Sequence, residues 1–247
     1  MDRKGRIGLV AALTSMSILI VLLVPVVASY LSVAHIRPTM DGKLLSAARD
    51  IEGNIASNED GFPVVDWEYW QSVNPAVIGW ITIPGTGVDS PIVQAPAHDR
   101  QYYLDHDVYG KWNWMGCVYL DAGCEADGLD SQNSVLFGHN TGINRALFAD
   151  LEYYTDPQFA LAHKTILVQT PTAKKRLEVR CVAVIDGWDT LKRTNFLSRH
   201  DFMSWYTQCY ETSSVRLLEP TYTENLFTLC TCSYNYWSNG RTLVFAS

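Results

Sequence analysis

No excess of basic residues marks this 247-residue chain: 19 Lys and Arg stand against 26 Asp and Glu, for a net charge of −7. A general nucleic-acid binder needs a cationic surface to displace counterions from phosphates, so the balance argues against nucleic acid as a partner. Cysteine is sparse, six in all, which excludes a small fold built on disulfides. Paired metal-ligand spacings are missing too. Cys117 and Cys124 are seven apart, Cys181 and Cys209 stand alone, and Cys230-Thr231-Cys232 is C-x-C. None of the six histidines forms an H-x-x-x-H pair, so a structural zinc is not expected. Repeats and low-complexity tracts are absent. With 47% hydrophobic and 12% aromatic residues, the chain can bury a sizeable core.

Charge is also missing from one stretch. Between Ile7 and Val33 no charged residue occurs, and 20 of these residues are apolar. About 20 residues of helix cross the hydrocarbon core of a bilayer, so the run is long enough to span. Arg3, Lys4 and Arg6 precede it against Asp2 alone. The positive-inside rule then leaves residues 1–6 as a cytoplasmic tail, 7–33 as a signal-anchor in membrane lipid, and the rest outside the cell membrane. A cleaved signal peptide is the alternative, because Val26-Val27-Ala28 resembles a small-residue cleavage site. Residues 34–62 read as a linker in which Leu44, Ala48, Ile51 and Ile55 fall at helical spacing. Asp66 is placed to cap a second helix, WEYWQSVN, which Asn74-Pro75 stops.

Beyond Pro75, short runs rich in β-branched and aromatic residues alternate with turn residues. Eight of them read as strands: 77–83, 88–94, 117–120, 134–138, 165–170, 176–186, 226–232 and 242–246. Helical spacing returns at 145–154 and 200–210, where Phe202, Trp205, Tyr206 and Cys209 share a face. Helices do not alternate regularly with strands, so a closed or nearly closed β-barrel fits better than a parallel βαβ sheet.

In an exported domain the cysteines raise the question of disulfides, and Cys117 with Cys124, flanking a short strand and a turn, is one conceivable pair. Cys181 and Cys209 sit in apolar patterns as small buried hydrophobes. Strand alternation places Thr228, Cys230 and Cys232 on one face and Phe227, Leu229 and Thr231 on the other. With Phe227 and Leu229 inward, both cysteines of C-x-C face outward, where substrate reaches them. The residues after Cys232 end in Asn239-Gly240 and read as a hairpin connection, which brings Arg241 beside Cys232. A guanidinium next to a thiol favours the thiolate and can hold a developing oxyanion. His139 leaves a strand end into a polar turn, the best-placed acid/base among the histidines.

Thr228-Leu229-Cys230-Thr231-Cys232 resembles the TLxTC signature of sortases, the membrane-anchored cysteine transpeptidases of Gram-positive bacteria. NSVLFGHN resembles the segment carrying their histidine, and Arg241 falls where their arginine does. VIGWITIPGTGVDSPIVQ, YYLDHDVYG, GCVYLD and LFADLEYY look like class B. The resemblance implies a sortase-like closed eight-stranded β-barrel at 63–247, with N-terminal helices, a helix in the long connection (about 187–225) before the strand of Cys232, and the single transmembrane helix. It implies His139, Cys232 and Arg241 as catalytic residues, and Cys230, Thr231 and Asn140 beside them as substrate contacts. The implied substrates are secreted proteins bearing a C-terminal sorting signal, transferred through a thioacyl enzyme to an amine of a cell-wall peptidoglycan precursor or a pilin. No metal or organic cofactor is implied. A pilin-polymerising enzyme, or a catalytically silent extracytoplasmic binding domain, is the alternative. Two departures stand out: Cys230 occupies the position where class B members commonly have Ser, and Val88-Asp89-Ser90-Pro91 lacks the aromatic that the family usually has before the proline.

Overall fold

The computed structural model describes residues 60–124, 126–141, 147–189, 191–234 and 239–247. Among them no helix is long and apolar enough to cross a membrane. The expected anchor at 7–33 and the amphipathic stretch around Leu44–Ile55 lie outside the described residues.

Helix α1 (Trp67–Val73) starts as its sequence predicts, with the Asp66 carboxylate accepting from the Tyr69 N–H, and it buries Trp70. Among the described residues nine strands follow: β1 (Val77–Thr82), β2 (Asp89–Gln94), β3 (Val118–Leu120), β4 (Asn133–Phe137), β5 (Thr165–Gln169), β6 (Lys174–Asp186), β7 (Val215–Arg216), β8 (Leu226–Ser233) and β9 (Gly240–Ala246). Eight close a ring in the order β5-β1-β2-β3-β4-β8-β9-β6, and β6 pairs back onto β5. The two-residue β7 lies against β6 outside the ring. Pairing is antiparallel except between β2 and β3 and between β4 and β8. The expected mainly β, closed eight-stranded barrel is thus the one observed. Two short helices join it: α2 (Pro157–Ala162), capped by Asp156 with Pro157 in its first turn, and α3 (Arg199–Thr212), capped by Ser198.

Two apolar clusters hold the domain. One fills the barrel and includes Ile81, Val118, Leu136, Phe227, Leu229, Val244 and Ala246. The other lies outside, where Cys181, Ala183, Cys230, Leu243 and Phe245 of β6, β8 and β9 meet Phe202, Trp205, Tyr206 and Cys209 of α3. Strand β6 serves both clusters through its alternate faces, and a bulge between Val179 and Cys181 resets its alternation. Val179 and Val182 point inward, while Cys181 and Ala183 point to α3.

The expected helix at 145–154 is corrected in its described part. Leu147 takes a left-handed φ of 55°, which interrupts any α-helix there. Ala149–Thr155 then winds as a tighter 3-10 turn, in which the Asp150 carboxylate accepts from the Gly87 N–H at 2.6 Å.

Candidate active site

Strands β4 and β8 run side by side in the same direction, so their C-terminal ends emerge together at one end of the barrel. Phe137 is paired with Cys230. The lock continues past β4: the Gly138 N–H donates to Cys230 O at 3.2 Å, and the Thr231 hydroxyl donates to Gly138 O at 2.8 Å. His139 and Cys232 therefore lie at neighbouring strand ends. Strand β9 starts at the same end running the other way, and its register sets Arg241 directly opposite Cys232. The closeness of Arg241 to Cys232 expected from sequence is the one seen.

The His139 ring is hydrogen-bonded through Nε2 to the backbone carbonyl of Leu104 at 2.8 Å. A carbonyl only accepts, so Nε2 carries the proton and Nδ1 is left to meet the Cys232 thiol. The Cys232 contact, helped by the Leu104 carbonyl, raises the imidazole pKa above its ordinary value against the opposing effect of burial. The partner shifts the other way. His139 first, then the positive charge of Arg241 and the Tyr234 hydroxyl, hold the Cys232 thiol below its usual pKa. These opposite shifts favour a thiolate–imidazolium pair. Arg241 is itself steadied by Nη1, which donates to Gly240 O at 2.9 Å and Asn239 O at 3.3 Å.

The segment that presents Leu104 is a single 3-10 turn, Tyr102–Leu104. It packs on Gly116, whose φ is 57° and where a Cβ would stand 2.3 Å from Tyr103 O and 2.6 Å from Leu104 O. Neither residue was selected from sequence, because a backbone carbonyl leaves no side-chain signature. The glycine signals its role only once its φ is known.

All six cysteines are free thiols, Cys117 and Cys124 included. Cys232 is half-buried and the other five are buried. The residues expected as substrate contacts are buried. Cys230, Thr231 and Asn140 are each 2% exposed. Alternation does turn Cys230 away from the barrel, but α3 roofs that face, and burial pushes its thiol up to about 12. The Asn140 amide donates to Glu152 Oε2 at 2.8 Å and to Cys232 O at 3.2 Å. The three side chains build the site's frame rather than an open groove. Iodoacetamide is accordingly expected to modify Cys232 alone in the native chain and all six thiols after denaturation, read by intact mass. Its rate rises as pH climbs through the lowered thiol pKa, so labelling persists at pH values where an ordinary cysteine has stopped reacting. Native labelling of a second thiol at a comparable rate contradicts the burial.

Residues 81–247 match the family model of the sortase domain. Sortase B of Listeria monocytogenes is 29% identical over 179 residues, covering 70% of each chain. A Staphylococcus aureus sortase B–substrate complex superposes with a TM-score of 0.64 at 24% identity, over 73% of this chain and 82% of that one. A Bacillus anthracis protein described as similar to sortase B gives 0.64 at 27% identity, over 73% and 80%.

Proposed function

This chain belongs to the sortase family as a class B cysteine transpeptidase, and from that premise we propose that Cys232, His139 and Arg241 carry the reaction. The Cys232 thiolate attacks the carbonyl carbon of the scissile amide in a sorting signal, and the carbonyl oxygen takes up negative charge facing Arg241. The C–N bond then breaks. The His139 imidazolium delivers its proton to the departing amine, leaving a thioester on Cys232. An incoming amine loses a proton to His139 and attacks that thioester. The sulfur leaves as thiolate, and a new amide joins the secreted protein to the wall or to another subunit. The observation that carries this reading is the convergence of a half-buried thiol, an imidazole and a guanidinium at one barrel end, with pKa shifts of opposite sign on the first two.

The same reading keeps 7–33 as the membrane anchor, 1–6 in the cytoplasm and the domain outside, supported by the charge-free run and its basic flank. Incubating the full chain with a panel of sorting-signal peptides, with and without triglycine, tests the chemistry. An acyl adduct on Cys232 that triglycine converts to an amide is expected by mass spectrometry. An adduct released only by water makes the enzyme a hydrolase. No adduct with any peptide sinks the proposal.

A further inference from the structure

Beyond the trio, one carboxylate touches both halves of the site. Glu152 sits on the 3-10 turn Ala149–Thr155. Its Oε2 accepts from Asn140 Nδ2 at 2.8 Å, and Asn140 directly follows His139. Its Oε1 accepts from the Tyr234 backbone N–H at 3.0 Å, two residues past Cys232. The same Asn140 amide reaches Cys232 O at 3.2 Å. We infer that Glu152 is a positioning residue of the catalytic centre, its carboxylate clamping the chain behind His139 to the chain behind Cys232. The inference rests on the catalytic reading of those two residues.

The need for such a clamp follows from where the ladders stop. Strand β4 ends at Phe137 and β8 at Ser233, so His139 and the backbone after Cys232 lie at or beyond the last regular pairing. A bidentate, charge-assisted acceptor extends the connection past that point. Its mount is firm. Leu151 and Tyr154 on the same turn are fully buried, the Asp150 carboxylate accepts from Gly87 N, and the Tyr154 hydroxyl donates to His163 O at 2.6 Å. Sequence reasoning passed over Glu152 because its partners are an amide and a backbone N–H at distant positions.

Both partners of the carboxylate are N–H donors. Glu152→Gln preserves volume but offers one acceptor oxygen, so an amide NH2 must face a donor on the other side. Glu152→Ala removes both bonds. Two readouts on the full chain test the role: kcat and KM for peptide plus triglycine, and the pH midpoint of iodoacetamide labelling at Cys232, which needs no substrate. Glu152→Gln is expected to lower kcat about tenfold or more with KM within about twofold, because misalignment costs the chemical step rather than binding. The labelling midpoint is expected to move up, since loosening His139 removes what chiefly lowers the thiol pKa. The sign discriminates, because deleting a negative charge that acted only electrostatically moves the midpoint down. A downward or absent shift, an unchanged kcat, or a lower melting temperature with the labelling profile intact each overturns the inference. Cys232→Ala serves as the separate control: turnover surviving there defeats the proposed function, whatever Glu152 does.

Discussion

Cys232→Ala is expected to abolish transpeptidation and native iodoacetamide labelling while leaving the melting temperature nearly unchanged. The side chain is half-buried at a strand end, so its loss leaves the two apolar clusters intact. His139→Ala should come close to the same floor. General acid–base help is worth about 10² to 10⁴ in rate, and here the imidazole contact also lowers the Cys232 thiol pKa. The double variant should be no worse than the worse single one, because two residues that act as a unit are not additive. The His139 variant should also shift Cys232 labelling to higher pH. Steady-state turnover and labelling profiles check each statement; additive losses in the double variant would mean the pair does not work as one device. Cys230→Ser provides the contrast. Cys230 lies in the outer apolar cluster opposite Leu243, where an unsatisfied hydroxyl costs about 1 to 3 kcal/mol of stability, so the melting temperature is expected to fall while kcat largely survives. One thiol is half-buried beside His139 and Arg241, and its neighbour two residues away is core.

Gly116→Ala is the second large effect, far from the sulfur in sequence and aimed at it through a carbonyl. A Cβ at 2.3 Å from Tyr103 O and 2.6 Å from Leu104 O cannot be accommodated without moving backbone, and φ of 57° adds about 1 to 2 kcal/mol of strain. Leu104 O is the acceptor that holds His139 Nε2. Its displacement lets the ring turn and lowers the imidazole pKa, since this bond is one of the two contacts that raise it. With less imidazolium present, the thiol pKa rises and the labelling midpoint moves up. An activity loss of about a hundredfold is expected from a misplacement of this kind. The measurement is kcat beside a melting curve, at a temperature where the variant is folded. A folded variant with wild-type kcat and labelling midpoint separates Gly116 from the site.

These effects mark which parts of the molecule were legible in advance. The strands were, because alternation and turn residues are local signals, and the ranges 77–83, 165–170 and 226–232 lie within a residue of those observed. The cap at Asp66 and the apolar face of α3 were legible for the same reason. Helix α2 was overlooked, its six residues too short to show a periodicity. The helix expected at 145–154 misled because apolar spacing does not reveal a left-handed Leu147.

By itself, then, the sequence located the barrel's strands, brought Cys232, His139 and Arg241 forward as candidates for one site, and set the net acidic charge of the chain. Each of these follows from residue type and near-neighbour spacing. Only the tertiary structure decided which cysteine of C-x-C meets solvent, because α3, which roofs Cys230, arrives from a separate segment of chain. It alone placed Leu104 O on His139 and Glu152 between Asn140 and Tyr234. Those contacts join backbone groups, and a backbone group carries no letter in the sequence; its direction is set by how distant strands pair.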